Sequence, residues 1–127
     1  MYATNPYNTY KQNSVNMSSK EQLLLMLVDG TVKYTKVARL AIENKDMQKA
    51  HNELIRVQDI FTELMVTLDT SIGSFTKDLY ELYEFIKYKL CQANIKKDVS
   101  MIDEVLPLIE EIRYMWHEAN KLNNSKK

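Results

Sequence analysis

Glycine and proline are scarce in this chain, with two of each among 127 residues. Tight turns and β-bulges depend on these residues, so their scarcity argues against a strand-rich, turn-rich fold and for long helices with few connections. Cysteine is scarcer still. Cys91 stands alone, which excludes an internal disulfide and removes any sign of an oxidising compartment. A surplus of charge is also missing, because 17 lysines and arginines balance 17 aspartates and glutamates. Domains that grip phosphates draw affinity from a basic excess, so no nucleic acid is expected as a partner. No apolar run approaches the roughly 20 residues that cross a bilayer, and membrane insertion is not expected. The segment from Met1 to Met17 lacks the basic-then-apolar order of a signal peptide. A cytoplasmic location is the expectation.

Catalytic groupings are missing too. The two histidines, His51 and His117, fall on different helical segments. A di-metal site in a helical bundle would use Glu-x-x-His, and the matching positions hold Gln48 and Tyr114 instead. Cys91 has no activating neighbour in sequence, and Asp29-Gly30 lies inside a helical pattern rather than in a phosphate loop. The carboxylates alternate with lysines in the manner of solvated helix faces. No enzyme activity, cofactor or metal is expected.

What the chain does contain is helical periodicity. Residues 1–17 carry Tyr2, Tyr7 and Tyr10 among asparagines and show no period, so they read as a flexible or partly helical N-terminal arm. A first helix is expected at about 19–44, opened by Ser18 with Glu21 or Ser19 with Gln22 as capping boxes. A second, at about 47–68 and capped by Asp46, carries the clearest seam: Met47, Ala50, Leu54, Val57, Phe61, Leu64 and Leu68 alternate steps of three and four. A third is expected at about 75–94, capped by Ser74 or Thr76, with Phe75, Leu79, Leu82, Tyr83, Ile86, Leu90 and Ala93 facing inward. A fourth follows Asp98 at about 99–120, with the seam Ile102, Val105, Ile109, Ile112, Trp116 and Ala119, and Pro107 inside it. Residues 123–127 read as a frayed tail. Short connections turn each helix back on the last, so the expected architecture is all-α: an antiparallel up-down four-helix bundle over 18–122.

The first helix holds more apolar surface than a bundle needs. Leu23, Leu24, Leu25, Met26, Leu27 and Val28 are consecutive and therefore surround the axis. Leu23, Met26, Leu27, Gly30, Tyr34, Val37 and Ala41 are assigned to the bundle seam. Leu25, Val28 and Val32 then form a second stripe on the far side, and Phe85 and Tyr88 project similarly from the third helix. Three readings of the stripe stay open: the arm packs over it, a second copy covers it, or it is a groove for an amphipathic segment of a partner. The arm could also be a removable cover for such a groove, its tyrosines giving contact area. Gly30 fits a close helix approach, within this bundle or from outside it.

These segments together resemble the flagellar secretion chaperone (FliS) family over nearly the whole chain. The resemblance rests on Asn5-Pro6-Tyr7-Asn8-Thr9-Tyr10-Lys11, on Ser19 through Gly30, and on Arg56-Val57-Gln58-Asp59-Ile60. It continues in Leu82-Tyr83-Glu84-Phe85-Ile86, Ala93-Asn94, and Glu111-Ile112-Arg113 followed by Trp116. Lys20, Val28 and Asp78 depart from the family's usual Pro, Tyr and Asn. The resemblance implies a cytoplasmic export chaperone that binds the C-terminal segment of flagellin, prevents its premature polymerisation and delivers it to the flagellar type III secretion apparatus. It implies a partner that wraps the bundle in separate pieces, with the arm occupying part of that surface when flagellin is absent. The expected contact residues are Tyr7, Tyr10, Leu25, Val28, Val32, Phe85 and Tyr88. The alternative is a helical adaptor, or a self-associating bundle, with another partner.

Overall fold

The structure, a computed structural model, describes residues 17–71 and 73–125. Four helices account for nearly all of them: α1 (Met17–Glu43), α2 (Met47–Thr67), α3 (Ser74–Lys96) and α4 (Val99–Ser125). Only three, six and two residues separate successive helices. Connections this short force each helix to run antiparallel to its predecessor. α1 packs on α2 and α4, and α3 packs on α2 and α4, while the diagonal pairs are not backbone neighbours. The fold is an all-α four-helix bundle.

Turn chemistry explains the boundaries. At the start of α2, the Asp46 carboxylate accepts the Lys49 backbone N–H at 3.2 Å, satisfying one of the donors every helix start leaves open. Asp98 serves α4 in the same way through the Ser100 N–H at 2.9 Å. Lys45 and Lys97 take positive φ, the left-handed geometry that ends a helix and reverses the chain. Three boundaries differ from the sequence reading. α1 is already helical at Met17, which places Ser18 and Ser19 inside its first turn rather than at its cap. α3 begins after Gly73 with no side-chain cap, and the Thr76 hydroxyl instead donates back to the Gly73 carbonyl at 2.8 Å. α4 also continues to Ser125, through three residues of the expected tail. Asn123 donates to the Glu21 carboxylate of α1, which ties that last stretch to its neighbour.

The core follows the seams. Ala50, Leu54, Val57, Phe61 and Leu64 of α2, Leu79, Tyr83, Ile86, Leu90 and Ala93 of α3 and Ile102, Val105, Ile109 and Ile112 of α4 join Val28, Ala38, Ala41 and Ile42 of α1 in one buried cluster. The Phe61 and Tyr83 rings sit 5.8 Å apart and tilted by 57°, a contact that avoids the unfavourable face-to-face sandwich. The Trp116 indole N–H donates to the Tyr83 hydroxyl at 2.8 Å, joining α4 to α3. Burial pushes the Tyr83 phenol up to about 12 despite that donated hydrogen bond. Gly30 sits close against α2. A Cβ there would lie 3.2 Å from the Ile60 Cδ1 and 3.2 Å from the Tyr34 ring.

Candidate functional site

The rotation of α1 decides which residues can meet a partner. Its buried face is Val28, Thr31, Thr35, Ala38, Ala41 and Ile42. Steps of three and four connect them, but two of the six are threonines. Thr31 is tolerated inside because its hydroxyl donates to the Val28 carbonyl at 2.6 Å, hiding the polar group within its own helix. The sequence reading placed the seam on Leu23, Met26, Leu27, Gly30, Tyr34, Val37 and Ala41; Ala41 is buried as read, but the others lie off the buried face, whose phase is about one residue or roughly 100° away. That assignment is corrected. Met26 is 65% exposed, and Gly30 and Tyr34 lie on the edge toward α2, where the Tyr34 ring also receives the Arg56 guanidinium at 4.6 Å.

Val28 is therefore corrected as well. It has no exposed surface and belongs to the core, so it cannot touch a partner of the folded bundle. Leu25 and Val32 are half-buried on the edge of α1 that faces α4. Leu25 lines a groove of about 290 Å³ with Glu21 and Leu24 of α1 and Trp116, Ala119 and Asn120 of α4. Its lining is mostly apolar with the amides of Asn120 and Asn123 beside it, which suits an apolar side chain carried on a peptide backbone. Val32 lines a more polar hollow with Asp29, Lys36, Glu110 and Arg113.

Between these two hollows α1 and α4 are clasped. The Arg113 guanidinium donates to Asp29 at 2.6 Å, and the His117 ring nitrogen lies 2.8 Å from the same oxygen. Burial pushes the Asp29 carboxyl up, but the hydrogen bonds and positive charge from His117 and Arg113 outweigh it and hold the group below its ordinary value. Lys36 with Glu110 at 3.3 Å and Arg39 with Asp103 at 2.6 Å continue the clasp along the same seam. Charge on this face is satisfied within the bundle.

The other candidates stand on α3. Phe85 is 46% exposed and Tyr88 is 58% exposed, both pointing away from the core. Lys89, one turn after Phe85, reaches Glu104 of α4 at 3.3 Å and lies 5.9 Å from the Phe85 ring centre. Phe85 thus sits along the α3–α4 edge. The structure does not gather the sequence candidates into one pocket. Leu25 and Val32 occupy the α1–α4 face, Phe85 and Tyr88 occupy the outside of α3, and the diagonal helices α1 and α3 are not backbone neighbours. Tyr7 and Tyr10 lie outside the described residues. The sequence reading also missed exposed apolar residues at the helix ends. Phe75 was assigned inward, yet it is 60% exposed in the first turn of α3, and Val66 of α2 and Ile95 of α3 are exposed too. Near a helix end a periodic position gains little cover from the elements beside it.

Among the described residues no group of His, Cys, Asp and Glu is placed to hold a metal ion. No described helix is long and apolar enough to cross a membrane. The described residues thus form a well-packed helical bundle with one apolar groove and one polar hollow on the α1–α4 face and exposed rings on α3. Comparison with known proteins gives the class of protein. The family model for the flagellar protein FliS matches residues 3–123. The flagellar secretion chaperone FliS of Bacillus subtilis (strain 168) is 39% identical over 119 residues, covering 94% of this chain and 89% of the relative. FliS of Escherichia coli (strain K12) is 32% identical over 125 residues, covering 94% and 92%. A crystal structure described as a flagellar chaperone from bacteria superposes with a TM-score of 0.74 over 91% of this chain and 94% of that one, at 17% identity. The last likeness establishes the shared fold. The chain belongs to the FliS family of flagellar secretion chaperones, and it is not an enzyme.

Proposed function

We propose that this protein is a cytoplasmic chaperone that binds the C-terminal segment of flagellin, keeps it from polymerising before export, and delivers it to the flagellar type III secretion apparatus. The observation that carries the proposal is apolar surface left over on a bundle whose core is already closed. Leu25 and Val32 present it on the α1–α4 face, and Phe85 and Tyr88 present it on α3. Surface split over two faces favours an extended partner that wraps the bundle over a compact one that would need a single pocket.

Binding alone is enough for such a task. A segment held on the chaperone is withdrawn from self-assembly by mass action, with no energy source. Ordering a flexible segment costs free energy, so a wide contact surface coexists with an affinity low enough for release at the export gate. The arm, residues 1–17 with Tyr7 and Tyr10, directly precedes the helix that carries Leu25. Our reading is that it covers part of this surface until flagellin displaces it.

Capture from the cytoplasm of a flagellated cell, with tagged protein as bait, tests the reading. Flagellin as the main co-purifying protein supports it. A spread of unrelated helical proteins points to a general adaptor, and recovery of the bait alone points to self-association.

A further inference from the structure

The α1–α4 and α3–α4 faces treat their charges differently. Along α1–α4, Asp29, Asp103 and Glu110 each meet a cation of the neighbouring helix. Along α3–α4 two stripes run side by side. On α3 they are Asp78, Leu82, Phe85 and Lys89; on α4 they are Glu104, Leu108, Glu111 and Met115, both in steps of four, three and four. Two rungs fix their register: Lys89 with Glu104, and Trp116 with Tyr83. Phe85, Leu108 and Glu111 fall between those rungs. Leu82, Leu108 and Met115 are partly covered by the core, whereas Phe85 stays open.

Lys89 is already committed to Glu104. Asp78, Glu81 and Glu111 are exposed, and among the described residues no ion pair reaches any of them. An open phenyl ring is thus bordered by carboxylates whose charge the bundle leaves unanswered. Resting on the reading that Phe85 touches flagellin, we infer that the piece of partner lying over α3–α4 is a basic amphipathic helix. Its apolar stripe meets Phe85 and the shoulders of Leu82 and Met115, and its lysines or arginines meet Asp78, Glu81 and Glu111.

Charge also selects against other occupants. A second copy of this chain meeting face to face would set acid against acid, because a two-fold contact uses the same patch on both sides. An anionic lipid surface is repelled for the same reason. A basic helix gains from every carboxylate, chiefly in the speed and register of docking.

The test is calorimetric titration with a synthetic peptide of the flagellin C-terminal segment, at roughly 50 and 500 mM NaCl, a range that shortens the screening length severalfold. The variants are Glu81→Lys, Glu111→Lys and Phe85→Ala, with Asp59→Lys on the exposed side of α2 as a control for net charge. All four positions are exposed, so circular dichroism melts should match the parent. We expect Glu81→Lys and Glu111→Lys each to weaken binding about three- to tenfold at low salt and to flatten its salt dependence. Asp59→Lys should change neither, and Phe85→Ala should weaken binding with the salt dependence kept. If both reversals bind like the parent while Phe85→Ala weakens binding, the docking is apolar only and the inference is wrong. It is equally wrong if Asp59→Lys acts as strongly as Glu81→Lys. If the parent protein does not bind the peptide at all, the functional reading itself fails and the inference goes with it.

Discussion

Shortening Val28 to alanine separates the core face of α1 from the edge proposed to meet a partner. Val28 has no exposed surface and lies against the cluster that includes Leu54, Phe61 and Ile112. Deleting two buried methyl groups forfeits about 1.6 kcal/mol of transfer free energy. The space left in a rigid core adds roughly 1 kcal/mol more. The expected loss is therefore about 2–3 kcal/mol, which for a chain this long lowers the melting temperature by roughly 8–11 °C. Leu25→Ala removes a larger side chain, yet Leu25 is half-buried at a groove mouth, so its cost should stay near 1 kcal/mol. Thermal melts by circular dichroism, followed by titration with a flagellin C-terminal peptide well below each melt, give the pair of readings. Val28→Ala should unfold early and bind at nearly parental affinity, while Leu25→Ala should melt late and bind weakly. A Val28→Ala melt within about 3 °C of the parent, or a Leu25→Ala melt that falls further, would refute the assigned rotation of α1.

The Asp29 clasp predicts an acid-sensitive contribution to stability. Its carboxyl is held below the ordinary 3.8, so that contribution is full above the unfolded value and vanishes as pH falls through the folded one. Asp29→Asn should cost under about 1 kcal/mol at pH 7, because the pair is water-screened, and the gap from the parent should narrow in melts as the pH falls below the ordinary 3.8. Trp116→Phe removes the N–H that reaches the Tyr83 hydroxyl and should cost about 1 kcal/mol, read as an earlier urea midpoint with an unchanged slope. Deleting Met1 to Asn16 should raise binding of a hydrophobic dye and promote self-association on a sizing column. No change in either would leave the arm without a covering role.

The fold was legible wherever periodicity was clean. In α2 and α4 apolar and polar residues alternate so regularly that Leu54, Val57, Phe61, Ile102, Val105 and Ile109 could be placed inward without coordinates. Asp46 and Asp98 announce helix starts because a short carboxylate is well suited to the open N–H groups there. α1 defeated the same logic for two physical reasons. Six consecutive apolar residues give no preferred face, and Thr31 and Thr35, which set the true phase, count as polar in a binary pattern. Treating Thr31 as able to bond its own backbone would have pointed to the phase of Val28, Thr31, Ala38 and Ile42, on which Thr35 also lies, although its buried hydroxyl finds no hydrogen-bond partner among the described residues. The clasp of Asp29 with Arg113 and His117 lay beyond sequence reasoning, since it joins residues more than 80 positions apart and depends on the register of α1 against α4. Phe85 and Tyr88 were found by their angle from the α3 seam, and both are exposed.

The central claim is that this bundle captures flagellin through the segment flagellin needs for assembly. Calorimetric titration of the purified chaperone with three ligands tests it most directly: full-length monomeric flagellin, flagellin lacking its C-terminal segment, and that segment as an isolated peptide. The account predicts that full-length flagellin and the peptide bind with similar affinity and that the truncated protein gives no heat above dilution. Equal binding by the truncated protein, or no binding by the peptide, would contradict it.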